Sequence, residues 1–370
     1  MTPTVCLTDV AEFVRDGTHG SPIRTEVGIP VLSAMNVKDG VLNFATDRFT
    51  SSAEYLAFSK RLPLTTGDVL LTIVGTIGRS AVVDQVVPLV FQRSVAVIRP
   101  RRTLMDSRFL YHVTKSSDFQ NQLDRASNKS SQAGVYLGKL GAITVPQLAL
   151  SEQRRIAAIL DQADALRAKR REALAQLDSL TQSIFIEMFG DPVRNPKNWA
   201  QENLGDFFHF RTGKLDSNAA VENGEFPFFT CAKEDFRIDK FAFDCEALLL
   251  AGNNANADYS VKHYRGKFNA YQRTYVITLK KSGNSYKYAA FVLENQLAEL
   301  KRMSKGSSTK YLTMELLNRI RIPVPPQNLQ SQFANRMSAT HKIRLALTAS
   351  LAELNALFAS LQHRAFAGQL

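Results

Sequence analysis

The sequence predicts an α+β chain: two related globules, each mixed α/β with short strands, separated by two long antiparallel helices that form a coiled-coil rod with pseudo-two-fold order. Three observations predict it. From Gln147 to Phe189 there is no Gly and no Pro. The same holds from Gln327 to Ala367. Between and before these stretches, six short segments recur once, in the same order.

The first helix opens at Ser151, with Glu152 and Gln153 behind it, a suitable start. Its apolar positions are Ile156, Ile159, Ala163, Leu166, Ala173, Leu177, Leu180 and Ile184, spaced mostly by three and four, with Arg170 as the one break. That is the heptad seam of a helix lying along another helix. Gly190 followed by Pro192 supplies a stop. The second helix carries Phe333, Met337, Ile343, Leu347, Leu354, Leu357 and Leu361 on a similar stripe and ends at Gly368. Each helix of about 40 residues spans roughly 60 Å. Antiparallel pairing fixes a distance that a flexible linker cannot.

The repeat is weak in identity but ordered. Leu7, Asp9 and Phe13 align with Leu204, Asp206 and Phe210. DVLLTIVG from Asp68 aligns with EALLLAGN from Glu246, and QRSVAVI from Gln92 with QRTYVIT from Gln272. GVYL, ending at Leu137, aligns with TKYL, ending at Leu312. The proline exits at Pro146 and at Pro323, Pro325 and Pro326 correspond, as do LDSLTQSI from Leu177 and LNALFASL from Leu354. The offset shrinks along the chain, so the second copy has shorter loops. The β-branched runs read as strands. SRFLYHVTKSSDFQNQL and KYAAFVLENQLAELKRM each read as one helix. The expected segments are 1–150 and 191–326 for the globules, 151–190 and 327–370 for the helices.

Composition narrows the function. The chain has 370 residues, 46 Lys and Arg against 34 Asp and Glu, and a formal charge of +12. That surplus favours a polyanionic partner, nucleic acid or an anionic membrane surface. No run of about 18 apolar residues is present, and the N-terminus lacks the pattern of a signal peptide, so the chain reads as cytoplasmic. Cys6, Cys231 and Cys245 are too few and too far apart for a disulfide framework or a zinc site, and read as reduced, mostly buried thiols. No phosphate loop, no amino-methyltransferase motif and no metalloprotease motif occurs. His19, His112 and His263 lack a carboxylate close in sequence that forms a motif. A basic chain with two heads and no catalytic or metal centre points to recognition rather than reaction.

The exit into SEQRRIAAILDQADALRAKRREALAQLDSLTQSIFIEMFGDP resembles the central conserved region of the specificity subunit of type I restriction–modification systems. GVYLGKL, LTTGDVLLTIVGTIGRSAVV and the QR-containing strand resemble its first target-recognition domain, and FDCEALLLAGNNANADYSVKHYRGKFNAYQRTYVI a variant of its second. The resemblance implies that each domain reads one half of a bipartite site in double-stranded DNA, that the helices set the gap, and that two modification subunits dock. It implies no cofactor in this chain: S-adenosylmethionine belongs to the modification subunits, ATP and Mg to the restriction subunits. The chain itself would be non-catalytic, and the assembled complex a DNA adenine methyltransferase and ATP-dependent endonuclease. QNLQSQF opens the second helix where the family shows an acidic residue before the Gln.

The expected DNA contacts lie on polar loops, phosphate contacts giving affinity and base contacts specificity. In the first copy they are Thr76, Arg79, Gln92, Arg93 and the loop Ser127, Asn128, Lys129, Ser130 and Ser131. In the second they are Asn253, Asn254, Tyr259, Lys262, Gln272, Arg273 and the loop Lys305, Gly306, Ser307 and Ser308. Gln92 and Gln272 suit a structural hydrogen bond at a strand start equally well, and Asn253 and Asn254 a turn. Two other classes fit the sequence less fully: a coiled-coil scaffold without sequence-specific DNA binding, which leaves the paired polar loops unexplained, and a stand-alone nuclease or methyltransferase with a degenerate motif.

Overall fold

The computed structural model describes residues 2–370 apart from 39, 129–132, 233, 235, 255–258 and 305–309. The chain divides into two compact units, Met1–Arg171 with Ala349–Leu370, and Glu172–Thr348.

In the first unit the central sheet orders its strands Ala11–Asp16, Val95–Pro100, Val69–Thr72 and Ser80–Val82, all antiparallel. Beside it, Val90–Phe91 runs parallel to Ile29–Leu32. In the second unit Phe208–Thr212, Thr274–Leu279, Phe243–Ala251 and Val261–Ala270 occur in the corresponding order. The far end of Val261–Ala270 runs parallel to Phe226–Phe229. One long strand there does the work of two short ones in the first unit. The second copy is shorter earlier in the chain, where the helix Ser52–Arg61 of the first unit has no α-helical counterpart among the described residues between Phe208–Thr212 and Phe243–Ala251.

The strands read as unbroken apolar runs because both faces of each central sheet are covered. Alternate residues point to opposite faces. Val69, Leu71 and Ile73 enter a core with Phe109, Phe119 and Leu140, whereas Leu70 enters another with Val31, Phe58 and Phe91. Leu248 and Leu250 divide from Ala247 and Leu249 in the same way. The segments expected as one helix are two in each unit: Ser107–Thr114 and Ser117–Ala126, then Tyr286–Asn295 and Leu297–Met303. Ser116 causes the first break, because its hydroxyl accepts from Phe119 N and caps a new helix.

The long helices run Leu150–Phe189 and Gln327–Phe366. Ala, Leu, Gln, Glu and Arg dominate them, all good helix formers. Gly190 takes φ +78°, Lys197 Nζ bonds Glu187 O and Met188 O, and Trp199 Nε1 bonds Phe189 O. The free carbonyls of the helix end are thus satisfied. Within each unit the two helices are antiparallel. In the first, Arg155 reaches Leu370 O and Arg167 reaches Asn355. In the second, Arg344 bonds Asp178 and Phe185 packs on Phe333.

The seam follows the expected positions except at four. Leu166, Leu180, Ile343 and Leu357 are each about half exposed (54%, 49%, 51% and 51%). The covered positions are Ile156, Leu160, Ala163, Arg167 and Arg170, with Leu351, Leu354, Phe358, Leu361 and Ala365, in the first unit. They are Leu174, Leu177, Thr181, Ile184 and Met188, with Phe333, Met337, Thr340, Arg344 and Leu347, in the second. Arg170 is therefore part of the seam, not a break in it. The reason is that long Arg stems cover apolar surface while their heads reach the edge: the Arg167 guanidinium lies 4.3 Å from the Phe358 ring centroid.

One 18-residue window of Gln327–Phe366 reaches a mean hydropathy of 1.2. That is long and apolar enough to cross a membrane by length and composition only, but a single such helix is weak evidence of a span, and Phe333, Phe358 and Ala365 are buried against protein. The three cysteines are free and half-buried, more exposed than expected.

Candidate nucleic-acid interface

At one end of the first unit's sheet, four segments are laced by backbone hydrogen bonds. Thr18 N donates to Phe91 O at 2.7 Å and Arg93 N to Thr18 O at 3.0 Å. Ile73 N donates to Ser94 O, and Val135 N to Ile73 O, both at 2.9 Å. Asn128 closes its own loop, with N to Gly134 O at 3.0 Å and Oδ1 accepting from Gly134 N at 2.7 Å. Gly17 allows the close approach: a Cβ there would lie 2.2 Å from Phe91 O. The hairpin tip is set by Thr72, whose side chain accepts from Arg79 N at 2.9 Å, and by Gly75 and Gly78 at positive φ.

The second unit repeats the lacing. Gln272 N donates to Leu215 O at 2.9 Å, Gly252 N to Arg273 O at 2.8 Å and Leu312 N to Gly252 O at 2.8 Å. Gly213 replaces Gly17, its Cβ position lying 1.6 Å from Ala270 O. These bonds shift the sequence alignment by one: Arg93 corresponds to Gln272, and Ser94 to Arg273. The QR pairs matched in the sequence occupy adjacent rather than identical places.

Among the expected contacts, Thr76, Arg79 and Arg93 are exposed, and Gln92, Ser127 and Asn128 half-buried. Arg93 and Asn128 line one cavity of about 380 Å³ with Asp16, His19 and Tyr136. Gln92 and Arg93 line a neighbouring hollow with Thr18 and Ser21. In the second unit Gln272 and Arg273 are exposed, and Gln272 Nε2 lies 3.4 Å from Asp216 Oδ2. Asn253 is half-buried and pairs with Tyr311, while Asn254 pairs through its backbone with Lys310. The Lys262 ammonium sits 6.0 Å from the Phe229 ring centroid. Tyr259 is a correction: it is 6% exposed and belongs to the helix-side core, so its ring forms wall rather than surface. Its flanking polar loop hid that apolar environment from the sequence. Lys129, Ser130, Ser131, Lys305, Gly306, Ser307 and Ser308 lie outside the described residues.

Sequence reasoning missed Asp16, His19 and Tyr136. A signal existed for the first two. His19 Nε2 lies 2.8 Å from Asp16 Oδ2, three residues earlier, and Arg61 holds Asp16 O and Gly17 O. His263 pairs with Glu246 at 2.8 Å. His112 Nε2 lies 2.7 Å from Asp161 Oδ1, far apart in sequence. Each of the three histidines has a carboxylate after all.

A separate polar cluster ties the helix Ser107–Thr114 to the first long helix. Arg108 binds Asp161 through two bonds of 3.1 and 2.6 Å, and Lys115 binds Asp164 at 3.0 Å. Burial works to raise the Asp161 carboxyl, but the hydrogen bonds from His112 and Arg108 outweigh it and hold the group at about 2. These groups are locked to one another, which suits a brace rather than an open site.

Two homologous sheets in one chain, each ending in a glycine-gated, polar, partly cationic surface, define a tandem recognition protein. The sequence matches the family described as type I restriction modification DNA specificity domain over residues 3–176 and again over 196–356, and the chain belongs to that family. It is 37% identical over 142 residues to the type I restriction enzyme EcoDI specificity subunit of Escherichia coli, covering 38% of this chain and 31% of that protein. The chain thus spans about a third of the length of that relative. A crystal structure of the S subunit of a type I restriction–modification system from M. genitalium shares the fold at TM-score 0.65 and 15% identity, over 99% of this chain and 96% of that one. A chain from a structural study of complex assembly and conformational transition in the type I system superposes at TM-score 0.57 and 17% identity, over the whole of both chains.

Proposed function

We propose that this chain is the non-catalytic, cytoplasmic DNA-recognition subunit of a type I restriction–modification complex, each unit reading one half of a bipartite site. The observation that carries the reading is the repeated lacing: the same four backbone segments meet at the same sheet end in both units. A repeated surface suits a split target, since each half is then read by equivalent machinery. The formal charge of +12 suits a phosphate backbone. The continuous helices keep the half-sites at a set gap.

The helices also carry a repeated apolar pair. Leu166 with Leu357 in the first unit, and Leu180 with Ile343 in the second, are all about half exposed. The sequence offset that carries Gln153 onto Gln330 also carries Leu166 onto Ile343 and Leu180 onto Leu357. Two equivalent apolar spots fit two copies of one partner, the modification subunit that carries S-adenosylmethionine. ATP and Mg enter with the restriction subunit. Assembled with modification subunits, the chain should bind its target duplex, located by mapping methyladenine, at least about 10³-fold more tightly than random duplex. Equal affinity for both would overturn the reading. Leu166→Asp with Leu357→Asp should reduce the modification subunits counted by native mass spectrometry from two to one. Two retained copies would remove this spot from the docking surface.

A further inference from the structure

The short helices Leu137–Gly141 and Met314–Asn318 occupy the same place in the two units. Leu140 N donates to Tyr136 O at 2.9 Å, as Leu317 N does to Thr313 O at 3.0 Å. Tyr136 and Thr313 are therefore equivalent N-cap residues, which moves by two places the sequence alignment that set Tyr136 against Tyr311. Thr313 caps its helix, its hydroxyl accepting from Leu316 N at 3.3 Å. Tyr136 makes no side-chain cap bond, because its hydroxyl sits at the far end of a ring. Giving up a Ser or Thr cap typically costs about 1 kcal/mol.

Burial of the ring does not offset that loss. Tyr136 is 67% exposed, more than any Phe, Trp or other Tyr among the described residues. It gains little from burial and none from capping. Its position is instead central to the candidate interface, on the wall of the cavity shared by Asp16, His19, Arg93 and Asn128. An exposed ring with a polar tip suits a base edge, where its face meets a thymine methyl or a sugar and its hydroxyl a polar atom.

We propose that Tyr136 is a specificity-determining DNA contact of the first unit, occupying a cap position for that purpose. The inference rests on the DNA-recognition reading. The second unit uses Thr313 for capping, so the contact belongs to one half-site alone.

Tyr136→Thr restores the cap and removes the ring. In the assembled complex the variant should bind the target duplex roughly tenfold more weakly, with affinity for random duplex changed less than about twofold. Its Tm should match or exceed that of the parent. Full target affinity would overturn the assignment, and so would a lowered Tm, which would mean that the ring serves folding. Failure of the parent itself to prefer target over random duplex would instead overturn the DNA-recognition reading, and the two failures are therefore distinct.

Discussion

Phe185→Ala should destabilise the second unit by about 3–5 kcal/mol, the cost of truncating a fully buried aromatic. Phe185 has no exposed surface. Its ring stacks on Phe291 at 4.4 Å and lies within 6 Å of Phe189, Tyr288 and Phe333. Those partners come from both long helices and from the helix Tyr286–Asn295, so the lost ring opens a cavity where three elements meet. Surrounding rings in fixed rotamers cannot collapse to fill it. The only tryptophan, Trp199, bonds Phe189 O one turn away and reports the change. In urea its fluorescence midpoint should fall well below that of the parent, while Ile186→Ala, at a position 40% exposed, should move it by under about 1 kcal/mol. Equal shifts would mean that the helix end is not part of that core.

The second large effect concerns two glutamines. Gln153 is fully buried; its Oε1 accepts from Asp106 N at 2.8 Å, and its Nε2 donates to Leu104 O and Leu148 O, both at 2.8 Å. Gln330 is equally buried; its Oε1 accepts from Ser285 N at 3.0 Å, and its Nε2 donates to Pro325 O at 2.9 Å and Asn284 Oδ1 at 3.3 Å. Each glutamine pins the start of a long helix to the cap of a core helix, since Asp106 and Ser285 are the N-caps of Ser107–Thr114 and Tyr286–Asn295. Leucine matches the size and leaves those backbone groups without partners. Gln330→Leu should cost about 2–4 kcal/mol and lower the Trp199 midpoint. Gln153→Leu should speed amide exchange in Ser107–Thr114 instead. Unchanged exchange there would show that the bonds carry little energy.

The glutamines also show what the sequence offered and withheld. Gln153 was visible as part of a helix start. Its acidic neighbour Glu152 is replaced by Leu329 in the second copy, yet the buried contact survives, because only the amide is used. The helices and main strands were legible because Gly and Pro are absent from the former and apolar runs mark the latter. The seam was not legible at four places, where the apolar residue is exposed and its neighbour is covered: Leu166 beside Arg167, Leu180 beside Thr181, Ile343 beside Arg344, Leu357 beside Phe358. Hydrophobicity selects the wrong member of the first three pairs, where the covered neighbour is an arginine or a threonine, and does not choose between Leu357 and Phe358. The site was half legible. Arg79, Arg93 and Asn128 stand out as polar loop residues, but Tyr136 becomes notable only beside Thr313, once hydrogen bonds establish their equivalence.

The central claim is that each unit reads its own half of the target. Replacing the residues before Leu150 with the matching segment of a family member of different target, then mapping methyladenine made by the assembled complex, tests it most directly. One half of the recognised sequence should change to that of the donor, with the other half and the gap unaltered. A change in both halves, or in neither, would contradict the account.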